Sequence, residues 1–451
     1  MSSIVTENFK RDILNSFVTE LTGGTVPYYI GLGRSEPWEN GDSPDIAQST
    51  TNDQTNLRRS LQAVTRVNKS SLVVPRYTWT SGTTYSQYDD TKAVADYVTP
   101  FYVISDNNDV YICLRTGRDS SGVVVSSSVQ PTGSNNDPFV TADGYVWKYL
   151  YTVSALDASL FLSFNYMPVK YQASVDSYST GNEIKQYEIQ NTAKSSMIAS
   201  FIVDSGGLGY TDPTLSINGV LDSPAIVDFT LSGGVIKKVE YVPDSSTLAY
   251  VYNLKGAVLT IQDNTGTGAV VRPVLTNTAG IGANAISDLQ STSIMLSVNI
   301  PGAADDFIVN QDYRQISVIK GIKDSANGTV FTQSTGNSLY SLELSTETVA
   351  FTVDNTIVGT TSSAKAYIDE VDSWRIYYHQ NDETGYLSFS DGEAVTEIGG
   401  LGAGVIGTAS IPPEVDAFTG DILYFDNRAP IERAENQTES IKIVIQLEDC
   451  I

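Results

Sequence analysis

The sequence predicts a mainly β protein, with a β-sandwich core, one N-terminal helix and long loops. First, only 18% of the 451 residues are charged, whereas Ser, Thr, Asn, Gly and Tyr are abundant. This composition favours strands joined by polar turns over surface helices, whose solvent faces need Glu, Lys and Arg. Second, from residue 71 onward, β-branched and aromatic residues recur with a period of two between turn residues. This alternation is typical of antiparallel sheets.

The N-terminal helix is predicted over residues 6–21, TENFKRDILNSFVTEL, where apolar residues recur at helical spacing. Thr6 is the predicted N-cap, and Gly23 and Gly24 the stop. A strand, VPYYIGLG, follows and runs into GRSEPW at residues 33–38. Because Pro37 cannot donate a ladder hydrogen bond, the strand should end near Arg34 and the chain should then turn.

Further strands are predicted in four runs: SLVVPRYTW, FYVISDNNDVYICLRT, GYVWKYLYTV and FNYMPVKY. The Ser-, Gly- and Asn-rich stretch 117–137 is predicted to be a surface loop. Residues 198–277 carry a loose internal duplication, which predicts one β unit used twice because neither copy can bury its apolar face alone. Short strands spaced by turn residues predict a compact β domain at about 326–417.

Charge and cysteine content exclude several classes of protein. The net charge of −25 argues against nucleic acid and membrane surfaces as partners. No apolar segment follows the first residues, so no signal peptide is expected, and no stretch has the length of a membrane span. Cys113 and Cys450 form neither a disulfide framework nor a metal-ligand spacing, so folding in a reducing compartment is expected.

The sequence carries no recognisable catalytic motif, and we predict a protein that is not an enzyme and that uses no cofactor, metal or small-molecule substrate. The single histidine, His379, is interpreted as a strand-surface or interface residue because no nucleophile motif accompanies it. The glycine-rich GGLGYTD and TGTGAVV are interpreted as β-turns or bulges. Hairpin turns also explain the oxygen-rich SDNND and DNTGTG better than calcium sites do.

The alternative is a tail protein that binds or cleaves glycans. Glycosidases use paired carboxylates, and region 326–417 contains close acidic groups, including Asp369, Glu370 and Asp372 and the pair Asp382 and Glu383. With 52 acidic residues in the chain, such pairs carry little information. The alternative therefore stays open on the residues alone.

The tryptophans allow two interpretations, core packing with a satisfied indole N–H or an interface anchor. The alternating strand around Trp147 favours the core, whereas Trp38, next to a proline on a turn, fits either interpretation. In the same motif, Arg34 and Glu36 are expected to fix the turn, by pairing with each other or by hydrogen bonds to the backbone.

Five segments in order resemble a known family. They are YYIGLGRSEPW, VVPRYTW at 73–79, DGYVWKYLYTV at 143–153, DYRQISVI at 312–319 and GDILYFDNRAPIERAENQTESIKIVI at 420–445. Together they resemble the dimeric, β-rich baseplate wedge subunit of T4-like contractile-tailed bacteriophages. The resemblance covers about residues 1–170, 295–325 and 418–448.

The resemblance implies a structural protein of the virion, assembled in the host cytoplasm, that forms a homodimer and binds other wedge subunits. It also implies a discontinuous core domain of residues 1–170, 295–325 and 418–451, interrupted by a duplicated β module at 171–294 and a second β domain at 326–417. The residues expected to fix turns or form interfaces are Arg34, Glu36, Pro37, Trp38, Arg76, Trp79, Arg314, Asn427, Arg428 and Pro430.

Overall fold

The protein is mainly β, as the sequence predicts. The computed structural model describes residues 6–195, 198–218, 227–241, 258–302 and 306–447. Strands contain 43% of the described residues and helices 13%. The chain divides into two compact units, the first made of residues 1–14, 71–295 and 445–451 and the second of residues 15–70 and 296–444.

The N-terminal helix begins and ends close to the predicted limits, and Thr6 accepts the capping hydrogen bond from the Phe9 N–H. Among the described residues four shorter α-helices accompany it, and two of them lie inside the interval 171–294 predicted to be a duplicated β module. The helix capped by Thr180 lies there because Thr180 and Glu183 form a capping box, a local signal that a strand-based interpretation overlooks. The helices are α1 (Glu7–Gly23), α2 (Thr51–Arg59), α3 (Ala155–Phe161), α4 (Gly181–Thr192) and α5 (Ala285–Asp288).

The first unit contains a four-stranded antiparallel sheet in the order β4-β5-β7-β6, and a pair of β3 with β8. The aromatic core of the sheet includes Trp147, which is fully buried as predicted, with Trp79 packed against it. Residues 117–137 form no regular element. The strands are β3 (Ser70–Pro75), β4 (Tyr102–Ile104), β5 (Asp109–Arg115), β6 (Phe139–Val140), β7 (Val146–Thr152) and β8 (Tyr166–Val169).

The duplicated region of the first unit forms three antiparallel pairs, β9 with β14, β10 with β13 and β11 with β12. The first strand of each copy thus pairs with the third strand of the other, and the two middle strands pair together. This pattern is unchanged when the copies are exchanged, as expected for one unit used twice. The strands are β9 (Ile198–Leu208), β10 (Thr214–Asn218), β11 (Val227–Ser232), β12 (Val235–Tyr241), β13 (Val258–Gln262) and β14 (Thr267–Leu275).

The second unit contains a five-stranded sheet in the order β18-β2-β1-β16-β26, in which every pair is antiparallel. Its central strand β1 is buried along its whole length. The sheet strands are β1 (Tyr28–Gly33), β2 (Leu61–Arg66), β16 (Gln311–Lys320), β18 (Thr335–Asn337) and β26 (Asp421–Arg433). Three further strands are β15 (Ser293–Ile300), β27 (Glu439–Gln446) and β17 (Lys323–Asp324), of which β17 pairs with β25 (Val415–Asp416).

A closed six-stranded barrel follows in the same unit, in the order β19-β22-β21-β20-β23-β24. Closure leaves the barrel without a free sheet edge. Inward-facing aliphatic residues fill it, among them Leu342, Ile357, Ile368 and Ile376, each fully buried. The strands are β19 (Tyr340–Val349), β20 (Thr356–Gly359), β21 (Lys365–Asp372), β22 (Arg375–His379), β23 (Ala394–Ile398) and β24 (Ala403–Ile411).

The three-domain division stays a prediction, although the barrel lies within the predicted interval 326–417. Parts of three sequence-based expectations lie outside the described residues: the start of the chain, Cys450, and stretches 219–226 and 242–257 of the duplication. None of the helices in the described part of the chain is long and apolar enough to cross a membrane.

The barrel core offers a direct test of packing. Replacing Ile376 with Ala should lower the free energy of unfolding by about 2–5 kcal/mol, because the vacated volume is enclosed on all sides. Guanidinium unfolding followed by far-ultraviolet circular dichroism measures the change. The matched control is Trp374→Ala at a half-exposed position on the adjoining turn, which should change the value by no more than about 0.5 kcal/mol. Equal effects of the two substitutions would contradict the assigned core.

Candidate functional site

The GRSEPW loop leaves β1 through a constrained backbone. A Cβ on Gly33 would lie 2.5 Å from the Ser60 carbonyl oxygen, so only glycine fits there. The next residue, Arg34, has a φ of 60°, in the left-handed region that costs a non-glycine residue free energy. Its N–H donates to the Ser60 carbonyl at 2.8 Å. The close approach of β1 to Ser60 therefore sets the direction in which the loop leaves the sheet.

The Arg34 side chain closes the loop over Trp38. One guanidinium nitrogen donates to the Pro37 carbonyl at 3.3 Å, and the guanidinium carbon lies 4.1 Å from the centre of the Trp38 ring. Of the two expected ways to fix the turn, Arg34 thus uses a hydrogen bond to the backbone. The Glu36 carboxylate instead faces the barrel.

Trp38 is 6% exposed, and its indole N–H donates to the Arg428 carbonyl at 2.7 Å. Arg428 lies in a bulge of β26, because Tyr313 and Gln315 of β16 pair with Ile431 and Asn427 while residues 428–430 have no partner in the ladder. Pro430, which lacks an N–H, is tolerated at such a bulge. The indole therefore satisfies a carbonyl that the bulge removes from sheet pairing.

A chain of side-chain hydrogen bonds crosses the sheet beside the bulge. The Ser60 hydroxyl donates to Gln315 at 3.1 Å, and the Gln315 amide donates to Asn427 at 2.8 Å. Asn427 in turn donates to the Asp45 carbonyl at 3.0 Å. Through Gln315, the RQIS segment of β16 thereby connects Ser60, whose carbonyl lies close to Gly33, to the loop that follows Trp38.

Arg314 of β16 also holds the GRSEPW loop in place. It is 6% exposed, and its guanidinium donates to the Ser35 carbonyl and, at 2.7 Å, to Asp312. The Ser35 hydroxyl donates to Asp369 of the barrel at 2.5 Å. One loop residue thus connects β16 to the barrel strand β21.

His379 lies buried between two carboxylates. Its Nδ1 is 2.7 Å from Asp369 Oδ2, and its Nε2 is 3.5 Å from Glu36 Oε1, an ion-pair distance rather than a hydrogen bond. Asn381 also donates to Glu36. Of the two interpretations of His379, a strand-surface or an interface residue, the first is wrong, since the side chain is 2% exposed. The position of a residue in a strand predicts which face of the sheet its side chain is on, but not which groups from distant segments cover the His379 ring.

The two carboxylates keep His379 charged. Burial by itself lowers the pKa of His379, but the charges and hydrogen-bonding groups of Asp369 and Glu36 outweigh it and raise the pKa to about 10. For Glu36, burial acts to raise the pKa, while His379 and Arg34 outweigh it, and the net pKa is lowered. Around the loop three cations face three carboxylates, namely Arg34, Arg314 and His379 against Glu36, Asp312 and Asp369.

A polar cleft of about 580 Å³ opens beside this network. Glu36, His379 and Asn381 line it, together with Arg59 and Lys365. Arg59 pairs with Asp382 across the cleft at 2.9 Å. Among the described residues no cluster of three or more His, Cys, Asp or Glu side chains is arranged to hold a metal ion.

The structure brings eight of the ten sequence-predicted residues together in the second unit. Arg76 and Trp79 belong to the first unit, where Arg76 donates to the Ser163 carbonyl at 3.0 Å and Trp79 to Ser127 at 3.1 Å. Ser35, Gln315 and Asp369 also belong to the cluster, although none of them was among the residues expected to fix turns or form interfaces. Ser35 and Gln315 lie inside the recognised GRSEPW and RQIS segments. The sequence named Asp369 only as a carboxylate of the glycan-cleaving alternative, and its contact with Ser35 spans 334 residues of chain.

Two carboxylates named for the glycan-cleaving alternative, Asp369 and Glu370, lie in different environments. Asp369 is fully buried, and it contacts His379 and Ser35. Burial, followed by the charges of Asp372 and Asp369, raises the pKa of its neighbour Glu370 to about 7. The Asp369 carboxylate is thus engaged in the buried network.

The SDNND segment is a hairpin turn, as predicted, whereas DNTGTG connects β13 to β14, which pair with β10 and β9 and form no hairpin with each other. In SDNND, Asn108 has a φ of 62°, and its N–H donates to the Ser105 carbonyl in the β4-β5 hairpin. In DNTGTG, the Asp263 carboxylate accepts four backbone N–H groups, from Thr211, Asp212, Thr265 and Gly266. These hydrogen bonds hold the pKa of Asp263 far below its usual range.

No protein-family model and no curated protein matches the chain.

Trp38 offers a test of the bulge. Trp38→Phe keeps an aromatic ring but leaves the Arg428 carbonyl without its donor, which should lower the free energy of unfolding by about 1–3 kcal/mol. Trp38→Ala should cost more, because a cavity adds to the lost hydrogen bond. Urea unfolding measures both, with Trp374→Phe as the control. If Trp38→Phe were as stable as the parent protein, the indole hydrogen bond would not stabilise the bulge.

His379 predicts a defined pH dependence. The folded chain binds the His379 proton more tightly than the unfolded chain, whose histidine titrates near 6.5. The resulting stabilisation is complete below pH 6.5 and is lost as the pH rises to about 10. The difference in unfolding free energy between the parent protein and His379→Gln should therefore shrink over this range.

Urea unfolding of both proteins at intervals from about pH 5.5 to about pH 10.5 measures this difference. Subtracting the two curves cancels groups that titrate equally in both proteins, such as Lys148, whose pKa burial lowers to about 8. A difference that stays constant across the range would show that His379 is not held as an imidazolium.

Proposed function

We propose that the protein is a structural subunit of a contractile phage tail, a baseplate wedge component that acts by homodimerisation and by binding several other proteins. The observation that carries the proposal is the spatial grouping of the five segments that resemble the wedge family. Three of them, which contain Trp38, Gln315 and Arg428, meet in one hydrogen-bonded cluster. The other two contribute Trp79 and Trp147 to one aromatic core.

This grouping supports the proposal because segments that are far apart in the chain, in a resemblance that covers about half of it, come together as two clusters of contacting residues. Each residue type in the shared segments has a physical role, since Gly33 permits a close approach, Trp38 caps a carbonyl and Pro430 fits a bulge. A chance match of short segments would not be expected to place them in contact.

The chemistry of the cluster supports binding rather than turnover. General acid–base catalysis needs a group whose pKa lies near the working pH and that can reach a substrate. His379 has a pKa of about 10 and is enclosed by Glu36 and Asp369. It is thus suited to holding the loop against the barrel as a fixed positive charge.

The surface is also suited to assembly. Several aromatic side chains are largely exposed, including Phe164, Tyr178 and Phe418. Aromatic residues are enriched in protein–protein interfaces because they bury a large area at a low cost in conformational entropy. The net charge of −25 keeps such a surface soluble before assembly.

Two measurements test the proposal. Sedimentation velocity of the full chain at micromolar concentration should give the mass of a dimer, and antibodies against the chain should label the baseplate end of purified tails in electron micrographs. Trp38→Ala, which perturbs the cluster, should weaken the dimer or the incorporation into tails, whereas Trp374→Ala serves as the control.

A monomer at every concentration tested, or labelling restricted to another part of the particle, would contradict the wedge assignment. Release of reducing sugars from bacterial polysaccharide, abolished by Glu370→Gln, would instead favour the glycan-cleaving alternative. The Glu370 substitution is chosen because this side chain lies outside the buried contacts of Asp369.

A further inference from the structure

A second, smaller groove opens on the barrel side of the second unit. Its volume is about 390 Å³, within the range of ligand-binding pockets. Three aromatic side chains at its border are half exposed: Tyr340 at 48%, Tyr386 at 49% and Phe418 at 60%. Large aromatic rings that stay in contact with water without a partner are an unfavourable arrangement, and their concentration around one groove calls for an explanation.

The three rings are held in place from behind. Tyr340 stacks on Tyr378 with ring centres 6.3 Å apart. Arg59 lies 4.5 Å from the centre of the Tyr386 ring, whose hydroxyl donates to Asp382 at 2.6 Å. The rings therefore form a surface that is ordered before a ligand arrives, so that binding costs little conformational entropy.

Phe418 is fixed through the backbone that carries it. Arg58 donates to the carbonyls of Ala417, Thr419 and Gly420 at 2.6–2.7 Å. The Phe418 N–H donates to the Asp416 carboxylate at 3.0 Å. One arginine thus occupies three carbonyls of the turn, which sets the position of the exposed ring.

An independent observation points to a polar ligand. Ser338 lines the groove and is 7% exposed, yet its hydroxyl has no hydrogen-bond partner among the described residues. Buried hydroxyls without a partner are rare because each loses the hydrogen bonds that it makes to water. A ligand that brings its own polar groups into the groove would supply the missing partner.

The other polar groups of the groove indicate which chemical class of ligand fits it. The groove presents an obligate acceptor, the Asp416 carboxylate, beside the donors of the Arg59 guanidinium. A proline-rich peptide, the usual ligand of grooves lined by aromatic residues, offers mainly carbonyl acceptors. Sugar hydroxyls both donate and accept, and the apolar C–H faces of a pyranose pack on aromatic rings.

We propose that this groove binds a saccharide, with Tyr340, Tyr386 and Phe418 as the stacking surface and Ser338 as a buried hydrogen-bonding group. The proposal adds a binding activity to the structural role and does not depend on it, because the groove lies wholly within the second unit. It involves no bond cleavage and differs from the glycan-cleaving alternative, whose carboxylates are Asp369 and Glu370.

Saturation-transfer difference nuclear magnetic resonance tests the proposal on the full chain. The probes are maltotriose, lactose, N,N′-diacetylchitobiose and mannotriose at millimolar concentration, with decaproline as the competing class. At least one saccharide should show transfer, and Phe418→Ala or Tyr340→Ala should raise its Kd by about tenfold. Trp374→Ala removes an equally exposed aromatic residue of the barrel that does not line the groove, and it should leave the Kd unchanged.

Ser338→Ala separates a specific site from general stacking. It should weaken saccharide binding at an unchanged melting temperature, since no hydrogen bond within the protein is lost. Transfer to none of the four saccharides would overturn the proposal, as would transfer that the groove variants do not reduce. Transfer to decaproline alone, reduced by the groove variants, would likewise overturn it and identify a peptide-binding groove.

Discussion

The second unit depends on the ionic contact of His379 with Asp369 and Glu36. A buried charge is strongly unfavourable unless it is paired, so the three groups can be buried only together. They come from two barrel strands and from the loop after β1, which are far apart in the chain. The requirement for mutual neutralisation therefore fixes the loop against the barrel and restricts the position of every residue between Gly33 and Trp38.

The same loop also provides a hydrogen-bond donor that the five-stranded sheet needs. Three residues of β26 leave the ladder opposite Arg314, and a carbonyl in such a bulge needs a new donor. Trp38 supplies that donor and fills the adjacent apolar space with its ring, while Arg314 binds the loop backbone at Ser35. Strand pairing at the bulge and packing of the loop therefore depend on each other. This explains why the residues of the loop, β16 and β26 form a recognisable pattern although no two of these segments are adjacent in sequence.

The proposed wedge role and the proposed saccharide groove use different properties of the unit. The first relies on a rigid cluster, whose polar groups are mostly occupied by one another. The second relies on groups left incompletely satisfied, three exposed rings and the Ser338 hydroxyl. Barrel closure makes both compatible, because the strands need no further edge partner. His379 and Arg59 border both the polar cleft beside the network and the groove. In a tail, such an arrangement would combine attachment to neighbouring subunits with contact to a bacterial surface.

The sequence by itself determined the mainly β class, the N-terminal helix with its Thr6 cap and the buried position of Trp147, because these follow from local periodicity and composition. It also identified most residues of the cluster through their resemblance to a family pattern. Tertiary structure alone decided the role of Trp38, the pairing of the duplicated strands and the burial of His379. Hydrogen bonds and ion pairs act only between groups that lie close together in space. Ser35 and Asp369 are 334 residues apart in the chain, and no periodic sequence pattern indicates that two such distant residues are in contact.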